Sequence, residues 1–370
     1  MKKILFPLFA AIALFACSED DQYTLNDFVG NDTLAISFNG TSATIGALPY
    51  FVSVSADGAH VMVNSYTSKY LVIQLSGTTV DGSLLVFSNK KFGIDLDNVS
   101  ITNPQGPAIN NQCGKSFVVT MLSGTTNTLT DGTAYADDPI IVNGDTVQQK
   151  GTLFSEGQIY FRGTGTLNVN GNAKNGIASD DYVTFESGTV NVSVASTGSN
   201  GVKANDGVFI QGGVLNINVA ANGARGIKND ARMEISGGTT TISTTGDCKI
   251  ETVDGTPDTT SCAGIKCDSL FTMTAGTLTI SSTGDGGKGI NCSQAFEFKG
   301  GTLDAQATGS EDNGKPKAVK SDVSITLSGG SFHAYSRKSK ATDNAGSETP
   351  TIIGTPTTKE LTKKEVTVQF

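Results

Sequence analysis

Acidic and amino side chains recur at fixed intervals through the middle of this chain, and that spacing limits the chemistry they can share. Lys203, Lys228, Lys266 and Lys320 are each followed two positions later by Asn205, Asp230, Asp268 and Asp322. Equivalent acids on neighbouring strands would stack within about 5 Å, where like charges repel. Either the lysines pair with them, or a hard cation bridges them, because Ca²⁺ takes oxygen from carboxylates, amides and carbonyls. The lysine column opens at Ala178, and acids gather there: Glu156, Asp180 and Asp181, with Asn205 and Asp206 one repeat on. That cluster is the expected metal site, with calcium as its cofactor.

Two further groups could handle a sugar chain. Tyr160 and Phe209 fall in one outward column and flank Thr184. Two repeats separate them, about 10 Å, near the repeat of a β-linked disaccharide. With Lys203 and Lys228 they form the expected carbohydrate-binding surface. A lyase acting on uronates would also need a cation to neutralise the substrate carboxylate and a base to remove the α-proton. Of the four arginines, Arg225 and Arg232 flank one repeat near Asp230 and are the weak catalytic candidates. A hydrolase would need two carboxylates at a set separation, and Asp is too frequent here for any pair to stand out. No Ser-His-Asp set is readable, and the only histidines, His60 and His333, argue against zinc.

All of these positions depend on one repeated unit. Ile177, Val202 and Ile227 are 25 residues apart, as are Val183, Val208 and Met233, and Gly188, Gly213 and Gly238. The register continues through Ile265, Ile290 and Val319 after steps of 38, 25 and 29. A fixed period of this length signals a solenoid. Within a unit, Val190, Val192 and Val194 alternate with polar residues, the pattern of a strand with one buried face. Helical spacing is absent, and 44 glycines are too many for helix interiors. The spacing predicts an all-β, right-handed parallel β-helix of about nine rungs over 81–335. Residues 33–80 are expected to be cap strands, and 336–370 a tail whose last strand (Val366, Val368, Phe370) closes the end.

The N-terminus reads as an address. Residues 1–16 carry two lysines and a short apolar core, a secretion signal too short to span a membrane. Leu14-Phe15-Ala16-Cys17 resembles a bacterial lipoprotein processing box, which makes Cys17 the lipidated residue and 17–32 a linker. Such a chain is expected at the outer membrane, exposed on the cell surface and held by its lipid anchor only. The net charge of −9 argues against nucleic acid as a partner. Cys248 and Cys262 bracket one insertion and are the expected disulfide in an oxidising compartment. Cys267 and Cys292 stack one period apart, and Cys113 has no assigned role.

Several stretches carry a family resemblance: GPAINNQCGKSFVV (106–119), GTTNTLTDGTAY (124–135), KGTLFSEGQIYFRGTGTLNVNG (150–171) and GIASDDYV (176–183). They resemble a bacterial carbohydrate-binding domain-containing family with a pectate-lyase-like fold. The resemblance covers roughly 35–340 and implies a protein that binds plant-type acidic or β-linked polysaccharide and calcium without turnover. The family often has Asp before the Gly-Ile pair, where this chain has Asn175, Asn200, Arg225, Ala263, Lys288 and Lys317. The expected function is a monomeric, surface-anchored polysaccharide binder. A calcium-dependent polysaccharide lyase and a structural or adhesive rod are the alternatives.

Overall fold

A computed structural model describes residues 31–370, apart from 138, 143, 254 and 261. The leader and Cys17 lie outside the described residues. Each coil lays down three short strands, as in Asn175–Ser179, Tyr182–Phe185 and Thr189–Val194. Equivalent strands of successive coils pair in parallel and in register, Ile177 on Val202 and Val202 on Ile227. The result is a parallel β-helix with three faces. The first face is a separate 12-stranded sheet. The second and third belong to one 23-stranded network, joined at one end by the long strand Phe92–Asn103.

Eleven strands of the first face run parallel, from Ala59–Ser65 to Thr342–Asn344. The solenoid therefore has about eleven coils rather than nine. The additional coils were hidden because Val61 to Leu84 and Val319 to Thr342 are each steps of 23 residues. Coiling also begins inside 33–80, where Asp32–Gly40 pairs in parallel with Leu71–Thr79. Antiparallel strands cover both open ends. Ser42–Ile45 folds back on Asp32–Gly40, and Glu365–Gln369 lies on Ser331–Ser336 with Val366 and Val368 buried. An unpaired solenoid edge would otherwise be a template for aggregation.

The interior is filled by ladders of equivalent apolar residues. Val183, Val208, Met233, Phe271, Phe296 and Ile325 form one, with the rings of Phe271 and Phe296 stacked at 4.8 Å. The bend into the third face uses Gly188, Gly213 and Gly238 at φ of +83°, +73° and +72°, where a side chain would be strained. A second glycine column faces inward. A Cβ on Gly201, Gly226 or Gly264 would come within 2.5 Å of the Cγ2 of Ile217, Ile242 or Ile280 on the third face. Alanine replaces glycine in this column at Ala318, on the coil where the facing ladder has already narrowed to Ala305 and Ala334. Width on one wall is exchanged for width on the other.

The three insertions that lengthen the 25-residue step all leave the coil at one corner, between the third face and the first. They are the segments 132–150, 245–262 (with the hairpin Lys249–Val253/Thr256–Thr260) and 308–316. Overpacking the glycine column gives a direct test of this geometry. Gly226→Ala is expected to destabilise the coil by about 1–3 kcal/mol, and Ile242→Ala in the same chain should recover part of that loss. Chemical denaturation of the single and double variants checks it; strictly additive losses would contradict the packing.

Candidate functional site

The outward residues of the first face are the Lys and Asp columns, and the structure neutralises them internally. Lys203 Nζ lies 3.9 Å from Asp230 and donates to Asn205 Oδ1 at 3.2 Å, and Lys228 lies 3.3 Å from the other Asp230 oxygen. Lys266 pairs with Asp268 and donates to Ser293 Oγ, and Lys320 pairs with Asp322. Lys203 and Lys228, expected to receive a sugar, therefore sit in ion pairs with their own acids. Pairs this exposed contribute little stability, but they leave little net field for a charged ligand.

The expected calcium cluster is also occupied by protein donors. Lys150 enters where the lysine column opens and donates to both Asp180 oxygens at 2.7 and 2.6 Å. Asp181 accepts from the Gln158 amide and from the backbone N–H of Tyr182. Asn205 Oδ1 takes Lys203, and Asp206 is solvent-facing with its N–H on the Asp181 carbonyl. Burial, and then the nearby Asp180 charge, push the Glu156 carboxyl up, while Lys150 pulls it down. Asp180, Asp181 and Asn205 thus already accept from protein donors, and an ammonium sits beside Asp180. Among the described residues, no group of three or more His, Cys, Asp or Glu converges as a metal site.

The aromatic column has the predicted register but not the predicted exposure. Tyr160 pairs with Thr184 and Thr184 with Phe209, yet Tyr160 is only 6% exposed and Thr184 only 3%. Tyr182 fills the gap between them: its hydroxyl bonds that of Tyr160, and its ring meets both neighbours edge-on at 5.7 and 5.6 Å. The Arg232 guanidinium covers Phe209 at 4.9 Å. The stacking platform is thus a closed cluster held by ring edges and a cation–π contact. Arg225 does not converge with Arg232. Its half-buried guanidinium neighbours Cys262, Asp268 and Glu251, and burial holds it below its ordinary pKa. The two guanidiniums thus have different neighbours, Arg225 near Cys262 and Asp268 and Arg232 on the Phe209 ring.

Two features escaped sequence reasoning. The first is a cleft of about 490 Å³ at the N-terminal end of the first face, under the 132–150 insertion. Met62, Leu85, Pro107 and Ile140 give it apolar surface, and Ser55, Gln105, Asn110 and Gln149 give it polar groups. Asn110 fixes the insertion by donating to the Gln148 carbonyl at 2.9 Å, and the Gln148 N–H donates to Gln112 Oε1. Gln149 Oε1 is buried without a hydrogen-bond partner and approaches over Gly106, where a Cβ would meet it at 2.8 Å. The quoted GPAINNQ stretch was the available signal, since it supplies the cleft floor. The second feature is at its rim. His60 bonds Ser83 Oγ at 3.0 Å and Asp81 at 3.1 Å, a Ser-His-Asp set built from neighbouring strands. The His60 and Asp81 side chains are 43% and 62% exposed, so water screens this set, and it ties down a surface turn.

The cysteine pairs are adjacent as thiols. Cys248 and Cys262 are buried and unbonded, and contact with Cys262 lowers the Cys248 thiol to about 7. Cys267 and Cys292 stack in register, both buried.

The charge cluster makes a pH-dependent prediction. Because the folded protein raises the Glu156 pKa, ionising Glu156 costs stability as pH rises through its titration, and no cost is present below it. Lys150→Ala removes the compensating cation, so it should lower stability at neutral pH by up to about 1 kcal/mol and by much less in acid. Thermal denaturation over a pH series checks this, and a deficit independent of pH would contradict it.

A family model described as "carbohydrate-binding domain-containing protein" matches residues 57–228 and 219–314. A curated protein of that description from Acetivibrio thermocellus is 31% identical over 116 residues, 30% of this chain and 39% of that protein. The alignment thus spans well under half of the relative's length. A solved structure described as the polysaccharide lyase-like protein from C. thermocellum, gadolinium derivative, superposes with a TM-score of 0.57 at 24% identity, over 72% of this chain and 97% of that one. That likeness bears on the fold. The matched family segments run through most of the solenoid, and the chain belongs to the carbohydrate-binding domain-containing family.

Proposed function

We propose that this protein binds a polysaccharide through the cleft beneath the 132–150 insertion, without chemical turnover. The observation that carries this reading is the pairing of an apolar surface with an unpartnered amide, Gln149, in one cleft. Sugar rings present C–H faces that pack on apolar side chains, and hydroxyls that both donate and accept. An amide with unmet hydrogen-bonding capacity suits such a hydroxyl. The volume falls within the range of about 300–1,000 Å³ typical of ligand pockets. The first face beyond the cleft is a straight stack of equivalent strands, which gives an extended chain a surface to follow.

The same reading places the protein at the outer membrane, secreted by residues 1–16 and held by lipid on Cys17, with Cys248 and Cys262 joined once in an oxidising compartment. The group proposed to engage the sugar is an amide, which hydrogen-bonds a hydroxyl without calcium. Family membership supports carbohydrate as the ligand class, and the separation of Arg225 from Arg232 favours binding over lyase chemistry.

A glycan array probed with and without EDTA is the test. One or more polysaccharides should be retained equally under both conditions, with no unsaturated product released. Gln149→Ala should weaken retention about three- to tenfold, the worth of one hydrogen bond, while Phe209→Ala leaves it unchanged. Loss through Phe209→Ala with no effect of Gln149→Ala would move the site to the aromatic cluster and sink the cleft. Release of unsaturated uronates would establish a lyase instead.

A further inference from the structure

Near the opposite end of the first face a second pocket opens, of about 340 Å³, and its lining is basic. Lys288 and Lys317 are directly paired across neighbouring strands, as are Asn291 and Lys320, and Lys315 reaches in from the 308–316 segment. Two of these lysines are satisfied: Lys317 pairs with Asp343 and Lys320 with Asp322. Lys288 is different. Among the described residues no acid lies within ion-pair distance of it. Burial, with repulsion from Lys317 and Lys320, holds its pKa below the ordinary value, and the nearby Cys248 sulfur acts in the opposite direction.

A half-buried ammonium beside other ammoniums is costly unless a negative group joins it. An independent observation points to the same place. Asn291 is 8% exposed and lines this pocket, and its Oδ1 has no hydrogen-bond partner. An amide is two-ended, and rotating it by half a turn presents its N–H₂ where the oxygen stood. Lys288 and Asn291 together then supply donors to one acceptor-rich group. The neutralised Lys-Asp pairs elsewhere on this face provide no such excess of positive charge.

We propose that the pocket formed by Lys288, Asn291, Lys315 and Lys317 is an oxyanion-binding site, taking a carboxylate or sulfate group either free or carried on a sugar. Lys288 makes the direct charge contact, Asn291 donates alongside it, and Lys315 closes over the group from the 308–316 segment. Six strand spacings separate this pocket from the cleft, about 30 Å along one face, so the two sites are independently testable. The carbohydrate reading bears only on what carries the anion.

The test is isothermal titration of the full chain with sodium sulfate and, separately, with a hexuronic acid trisaccharide, ionic strength held constant with sodium chloride. Saturable binding of at least one probe is expected. Lys288→Gln should weaken it about tenfold or more, the loss of a charge-assisted hydrogen bond, while Lys299→Gln on the second face leaves it unchanged. NMR should show the Asn291 side-chain amide shifting on titration. Binding of sulfate alone assigns a free anion, and binding of the trisaccharide alone assigns an anion presented by sugar. Absence of saturable binding by either probe, or binding unaffected by Lys288→Gln, overturns the proposal. Gln149→Ala should leave both titrations unchanged, so a failure here is distinct from a failure of the cleft.

Discussion

Parallel ladder hydrogen bonds, repeated coil upon coil, hold equivalent residues directly over one another, and every other property of this molecule follows from that alignment. Strands about 4.8 Å apart allow no room for a mismatched neighbour. A large residue must stack on a large one, and a position facing the opposite wall must accommodate whatever that wall presents. Gly226 beneath Ile242, and Ala318 where the ladder has reached Ala334, are two solutions to the same width. The apolar ladders stabilise the rod, and the fixed registration gives it shape.

The same alignment governs charge. Stacking would place Asp230 and Asp268 close enough to repel, and the fold answers by stacking Lys228 and Lys266 beside them. Most of the first face is thereby self-neutralised and unremarkable to a ligand. The pattern is interrupted at Gln149, whose amide oxygen lacks a partner, and at Lys288, which has no acid within ion-pair distance among the described residues. Interruption is a better guide to function here than repetition.

The sequence made the interior readable and the surface only partly so. Ile177, Val202 and Ile227 declare their stacking through a constant step, since burial forces periodicity. The outward columns were also placed in the right register, as Tyr160, Thr184 and Phe209 show. What periodicity could not reveal was the conformation of long side chains. Tyr182 swings over the gap that would have made a platform, and Lys150 reaches into the acids that would have held a cation. Both come from outside the repeating column. The cleft was hidden for a related reason: Ala136, Ile140 and Gln149, which complete its lining, belong to an insertion, which has no period to read. The shorter steps of the terminal coils hid two rungs in the same way.

All three insertions emerge at one corner of the triangular cross-section, and both pockets are lined by them: Ile140 and Gln149 from one, Lys315 from another. Extra residues at that corner lengthen a loop at small entropic cost and leave the stacked strands untouched. The other two corners are closed tightly, one of them by glycines at positive φ. Variation in ligand preference among solenoids of this build therefore has a single permitted outlet. The rod behaves as a fixed rail with one edge on which new recognition loops can be mounted.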